Sequence, residues 1–150
     1  MKHRREARFI LFVAEAFVAL TSIVCGVGLA VGVIQFPPEF LQDSPFSNYT
    51  LPGLLMAIVV GGSALWAAVA LGAGRSSALA LAALAGLILL LFEVVEITVI
   101  DRNTGAWLPL VVTLQAAYSA LGLIIVGLAA VLWEAGRRQQ SMRMRHATSG

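Results

Sequence analysis

Four apolar runs, at residues 9–34, 51–71, 78–100 and 107–133, occupy most of this chain, and each is long enough to cross a lipid bilayer. A helix rises about 1.5 Å per residue and a bilayer core is about 30 Å thick, so one span takes roughly 20 residues. The first and fourth runs exceed that length and are expected to tilt or to project from the membrane. The connections at 72–77 and 101–106 have room only for tight turns, which makes neighbouring helices antiparallel. Only the stretch 35–50 can hold structure of its own. The expected fold is therefore an all-α membrane protein: one domain, an antiparallel bundle of four transmembrane helices, with an outer loop at 35–50 and a basic tail at 134–150.

Composition agrees. Of the residues, 59% are hydrophobic and only 12% are charged, about half the charge of a typical soluble domain. A soluble enzyme, a disordered chain and a nucleic-acid binder are disfavoured. The basic residues set the orientation, because Lys and Arg are retained on the cytoplasmic side. Lys2, Arg4, Arg5, Arg8, Arg75, Arg137, Arg138, Arg143 and Arg145 fall at one end of the bundle, whereas Glu39, Asp43, Asp101 and Arg102 fall at the other. Both termini are expected in the cytoplasm, with Tyr49 and Trp107 in the outer aromatic belt and Trp133 in the inner one. The basic tail is expected to meet anionic headgroups rather than nucleic acid. The preference for Arg over Lys, with abundant Ala and Leu, is typical of bacterial chains, so the cell (inner) membrane is the expected location. At 26 residues the first run exceeds the roughly 7–15 of a signal-peptide core and reads as a retained anchor. The lone Cys25 reads as a small buried hydrophobe.

Helices in lipid associate by close contact between small residues. Gly28 and Gly32 on the first helix, Gly61, Gly62 and Ala64 on the second, Ala82 and Gly86 on the third, and Ala116, Ala117, Ala120 and Gly122 on the fourth are the candidates. Ala82, Gly86, Glu93 and Glu96 are spaced 4, 7 and 3 apart, which keeps them on one side of a helix. That face is expected to turn into the bundle or towards a partner.

Acidic residues within spans are the main candidates for function, since an ionised group at that depth is costly unless paired, protonated or in a polar cavity. Glu93 and Glu96 lie about 10 and 6 Å from the outer end of their helix. Gln115 lies level with Glu93, Tyr118 one turn deeper, and Arg102 is the only outer cation. Together they read as either a small pocket for a proton, cation or polar ligand, or a hydrogen-bonded network fixing helix register, with Glu96 reaching towards Arg102. Glu15, on the face of Arg8, is either a proton or cation site or a carboxylate that snorkels to Arg8 or Arg137. Glu134 and Arg138 read as a helix-surface pair. His3 and His146 have no companions that suggest a metal, and no cofactor is expected.

The outer loop packs four prolines and four aromatics into residues 36–53. It is expected to be ordered, either as a lid on the carboxylates, as a docking surface, or as a rigid connector. Asp43, Ser44 and Pro45 can cap a short turn, and Thr50 followed by Pro52 marks the start of the second helix. The segment Ser44-Pro45-Phe46-Ser47-Asn48-Tyr49-Thr50-Leu51-Pro52-Gly53 resembles a signature of small four-helix bacterial membrane proteins, roughly Ser-Pro-Phe-x-Asp-Tyr-x-x-Pro-Gly, with Asn48 where the usual residue is Asp. That family also has acidic or polar residues late in the third helix and a Trp and a Gln early in the fourth, places held here by Glu93, Glu96, Trp107 and Gln115. The resemblance implies the same topology and assigns no chemistry.

No nucleophile–base pair, phosphate loop or metal set is visible, so the chain is not expected to be an enzyme. Two functions remain. One is a non-catalytic membrane subunit or accessory protein, associating with itself or a larger complex through its small-residue faces and outer loop. The other is a small proton- or cation-coupled carrier acting as an oligomer through Glu93 and Glu96, or Glu15.

Overall fold

A computed structural model of the chain describes residues 2–42, 44–100 and 108–148, and the side chains of 4–42, 44–98 and 109–138. Among the described residues the regular structure is entirely helical, with four helices long and apolar enough to cross a membrane.

Helix α1 (Lys2–Ala30) begins well ahead of the apolar run, because the Lys, Arg, Glu and Ala residues before Phe9 are good helix formers. It ends four residues earlier than expected. Gly32 takes a left-handed φ of +77°, the Val33 and Ile34 amides both donate to the Gly28 carbonyl at 2.9 Å, and the Ile34 side chain folds back over Gly28. Gly28 and Gly32 thus terminate the helix; the expectation that they form a helix interface is not met. In the loop, Pro38–Leu41 makes one 3₁₀ turn that buries Phe40 and Leu41.

Helix α2 (Thr50–Gly72) starts where the Asn48 side chain accepts the Thr50 amide at 3.0 Å. Its middle, Met56–Gly61, is π-helical. After a turn at Gly74, φ +66°, comes α3, which is α-helical over Ala78–Val95 and π-helical over Glu96–Ile100. Helix α4 (Leu108–Thr148) has 41 residues and so is about 60 Å long. The segment expected as a tail beyond 133 continues the helix, and Glu134 and Arg138 form an exposed ion pair upon it.

Contacts at the glycines fix the directions. Along α1 from Gly26 to Ile23 to Phe12, the partners on α2 run from Gly53 and Ala57 to Gly61 to Gly72. On α3 and α4, Gly86 meets Gly122 and Ile125, and Leu90 meets Gly122. Arg4, near the start of α1, donates to the Leu132 carbonyl of α4 at 3.4 Å. Neighbours are therefore antiparallel, and both chain ends lie at one end of the bundle.

The interior is built from small residues. Ala64, Ala67, Ala68, Ala78, Ala82 and Ala85 are buried together with Leu11, Val18, Val60, Leu89 and Ile125. Phe9, Phe17, Leu20, Leu84, Leu91, Leu123 and Val131 point outward. With apolar groups on both sides, burial of apolar area cannot choose the inward face, and close backbone approach does so instead. Ala116, Ala117 and Ala120 are on the outside, contrary to expectation, and a side chain on Gly62 would meet nothing within 4 Å.

Candidate functional site

At the loop end the four helices diverge around a cavity of about 190 Å³. Ala82, Gly86 and Glu93 are buried and Glu96 is half-buried, so the face anticipated for α3 does turn inward. Glu93 and Glu96 line the cavity along with Gln115 and Tyr118 of α4. Cys25 and Leu29 of α1 and Pro52 and Met56 of α2 form the opposite wall. Arg102 and Trp107 lie outside the described residues, as do Asp43 and Asp101.

The loop forms the roof. Phe36, Phe40 and Tyr49 line the same cavity, so lid and carboxylates belong to one structure. Phe36 stacks on Phe40 with centroids 6.2 Å apart and lies 6.0 Å from Tyr49. The Tyr49 hydroxyl donates to the Pro37 carbonyl at 3.0 Å, joining the two ends of the loop. Ser44 donates to the Leu41 carbonyl at 2.9 Å and accepts the Phe46 amide at 3.2 Å. Of the loop motif, Tyr49 and Pro52 reach the cavity. Ser44, Pro45 and Phe46 shape the bend, Asn48 accepts the Thr50 amide just ahead of α2, and Gly53 admits the backbone of α1. Phe36, Phe40 and Phe92 were not singled out from the sequence, although the crowding of aromatics in 36–53 was a signal for the first two.

Two π turns border the cavity. One begins at Met56 and the other at Glu96, both lining residues. Hydrogen bonding to the fifth preceding residue widens a helix and shifts its register, a feature concentrated at functional sites. No sequence signal announced either turn.

Chemically, five aromatic rings (Phe36, Phe40, Tyr49, Phe92 and Tyr118) surround a space to which Glu93 and Glu96 bring acidic groups. A dry cavity of about 150 Å³ holds benzene, so this one suits a ligand of a single ring with a small head. Aromatic faces and carboxylates both favour cations, quaternary ammonium groups above all.

Glu15 is elsewhere. It is fully buried, and neither carboxylate oxygen has a hydrogen-bond partner. The expected snorkelling to Arg8 or Arg137 does not occur, because an all-apolar turn of α1 with buried Leu11 separates Glu15 from Arg8. Among the described residues no group of three His, Cys, Asp or Glu is placed to hold a metal ion. No family model, curated protein or solved structure matches the chain.

Proposed function

We propose that the chain is a multi-pass protein of the cell (inner) membrane, with both termini cytoplasmic, that binds a small hydrophobic organic cation in its outer pocket. Four apolar helices, an outward-facing coat of large apolar side chains and the gathering of basic residues at the end holding both termini support the membrane placement. One observation carries the ligand reading: two carboxylates and five aromatic rings share one cavity of about 190 Å³ roofed by the loop. This is the ligand-handling half of the carrier reading; a passage through the bilayer would need an oligomer.

The accessory-subunit reading draws on a different surface. Helix α4 exposes Ala116, Ala117, Ala120 and Gly127 along one side, where another helix could approach closely. The two readings are compatible, since that side faces away from the pocket.

The test uses benzyltrimethylammonium and its uncharged carbon isostere, neopentylbenzene, with the protein in lipid nanodiscs. Binding is read by titration and by protection of Cys25, the only cysteine and a pocket-lining residue, against a maleimide. The cation should bind at least tenfold more tightly than the isostere, and Glu93→Gln should remove that preference. Equal binding of both compounds, or a preference that survives Glu93→Gln, would refute the proposal.

A further inference from the structure

The inward face of α1 carries three polar groups without partners. Glu15 is fully buried and both its oxygens are orphaned; Ser22 is 1% exposed and its hydroxyl is orphaned; one terminal nitrogen of Arg8 is buried without a hydrogen bond. They are seven residues apart. A seven-residue step returns to within about 20° of the same helix face and rises about 10 Å. The three therefore stand in one line along the axis. Towards the loop the same stripe continues to Cys25 and Leu29, which line the outer pocket. Towards the other end it begins one turn above Arg4, which reaches across to α4.

None of the helices packed against Glu15 offers it a charge. Residues 50–72 of α2, 78–92 of α3 and 119–133 of α4 contain no titratable group; towards the loop the next are Glu93 and Tyr118, which belong to the outer pocket, and towards the other end Glu134, which pairs with Arg138, and Arg75, which lies over Trp66. On α1 itself the nearest charge is Arg8, two turns away, and the nearest thiol is Cys25. Without a cation or a donor, such surroundings tolerate the carboxyl in its proton-bearing form. That form is at once a donor and an acceptor, as is the Ser22 hydroxyl, and the groups that complete such rows inside proteins are ordered waters.

We infer that Glu15 and Ser22 lie on a proton path between the outer pocket and the end of the bundle that holds both termini, with Glu15 as its midway group; Arg8, whose guanidinium has no acceptor and keeps its protons, marks the inner mouth and relays nothing. Glu15 gives its carboxyl proton to a water on one side and takes one from a water on the other. Each passage moves one proton and leaves the carboxyl as it was. The outer end of the path rests on the pocket reading above; proton exchange at Glu15 does not.

Infrared difference spectra of the lipid-embedded protein, wild type minus Glu15→Gln, isolate the carbonyl stretch of the protonated Glu15 carboxyl. In D₂O that band should move to lower frequency within minutes, and Ser22→Ala should slow the move at least tenfold. Should Glu15→Gln not fold, Glu15→Asp identifies the band by shifting it. No protonated band, a band unmoved after hours in D₂O, or exchange indifferent to Ser22→Ala would each overturn the path. Glu93→Gln should remove the preference for benzyltrimethylammonium over neopentylbenzene and leave the exchange of Glu15 intact, so the pocket and the path can fail separately.

Discussion

Replacing Gly53 with alanine puts a methyl group 2.5 Å from the Gly26 carbonyl oxygen, 2.8 Å from the Ala30 amide nitrogen and 3.0 Å from the Leu29 Cβ. Two of these three atoms are backbone, so no rotamer change on α1 can make room. Ordinary carbon contacts lie near 3.5–4.0 Å, and the helices must part by about 1 Å. Overpacking of this kind costs about 1–3 kcal/mol. The dispersion lost as the crossing opens adds to it, because Gly26 is equally tight against Ala57 on the other side. Against this stands the helix preference of alanine over glycine, about 1 kcal/mol. Gly62→Ala supplies the control: its new methyl meets nothing within 4 Å, so only the favourable term remains. The helix preference is common to both variants, so they should differ by the overpacking alone, about 1–3 kcal/mol, with Gly53→Ala at or below wild type and Gly62→Ala at or above it, in detergent unfolding followed by circular dichroism. Cys25 adjoins Gly26, so its alkylation should also be faster in Gly53→Ala. If Gly53→Ala proves as stable as Gly62→Ala, the close crossing of α1 and α2 is wrong.

Tyr49→Phe keeps the ring against Phe36 but deletes the hydroxyl that donates to the Pro37 carbonyl. One such bond is worth about 1 kcal/mol, so benzyltrimethylammonium should bind about fivefold more weakly, measured by titration. Asn48→Asp keeps an acceptor for the Thr50 amide and adds a negative charge at a helix start, worth about 0.3–1 kcal/mol; unfolding should show it at least as stable as wild type, while Asn48→Ala should lose about 1 kcal/mol.

Run length was enough to find the helices, because an apolar stretch of that size has one use in a chain with so little charge. The limits expected for the second and third helices agree with α2 and α3 to within a residue. Helix ends at the first and fourth runs were less legible. Hydropathy is blind to a helix that continues into charged residues, as α1 and α4 do, and it counted Val33 and Ile34 as span although the left-handed Gly32 had already turned the chain back. Faces were harder still. In a helix that is apolar all round, the inward side is marked by size alone, and glycine and alanine are too common here for size to single out Gly26 over Gly28, or Gly122 over Ala120. The inward turn of Glu93 was legible because two acids and two small residues share one side of α3. The sealed position of Glu15 was not, because it depends on which stripe of α1 faces the bundle. The joining of loop and carboxylates in one cavity depends on the splay of helices far apart in sequence.

That splay has a cause in residue size. Below the cavity, Ala64, Ala67 and Ala70 of α2 are buried in one cluster with Ala78, Ala82 and Ala85 of α3. Helices α3 and α4 meet at Gly86 and Gly122, where a side chain on Gly86 would come 3.2 Å from the Gly122 carbonyl. Towards the loop the glycines and buried alanines of that pair stop, and Phe92, Leu110, Leu114, Gln115 and Tyr118 line the cavity instead. Helices α1 and α2 behave in the opposite way, since their tightest contact, Gly26 with Gly53, lies at the loop end. One pair is closest near the rim and the other near the middle, and the cavity lies at the rim, where bulky side chains of α3 and α4 stand between the pairs. The π turns at Met56 and Glu96 broaden the helices at that level. The loop, tied at both ends to the pinned pair, cannot drift from the opening, which places its aromatic rings over Glu93 and Glu96. The cavity is thus a consequence of where glycine and alanine stop, and its roof a consequence of which two helices the loop connects.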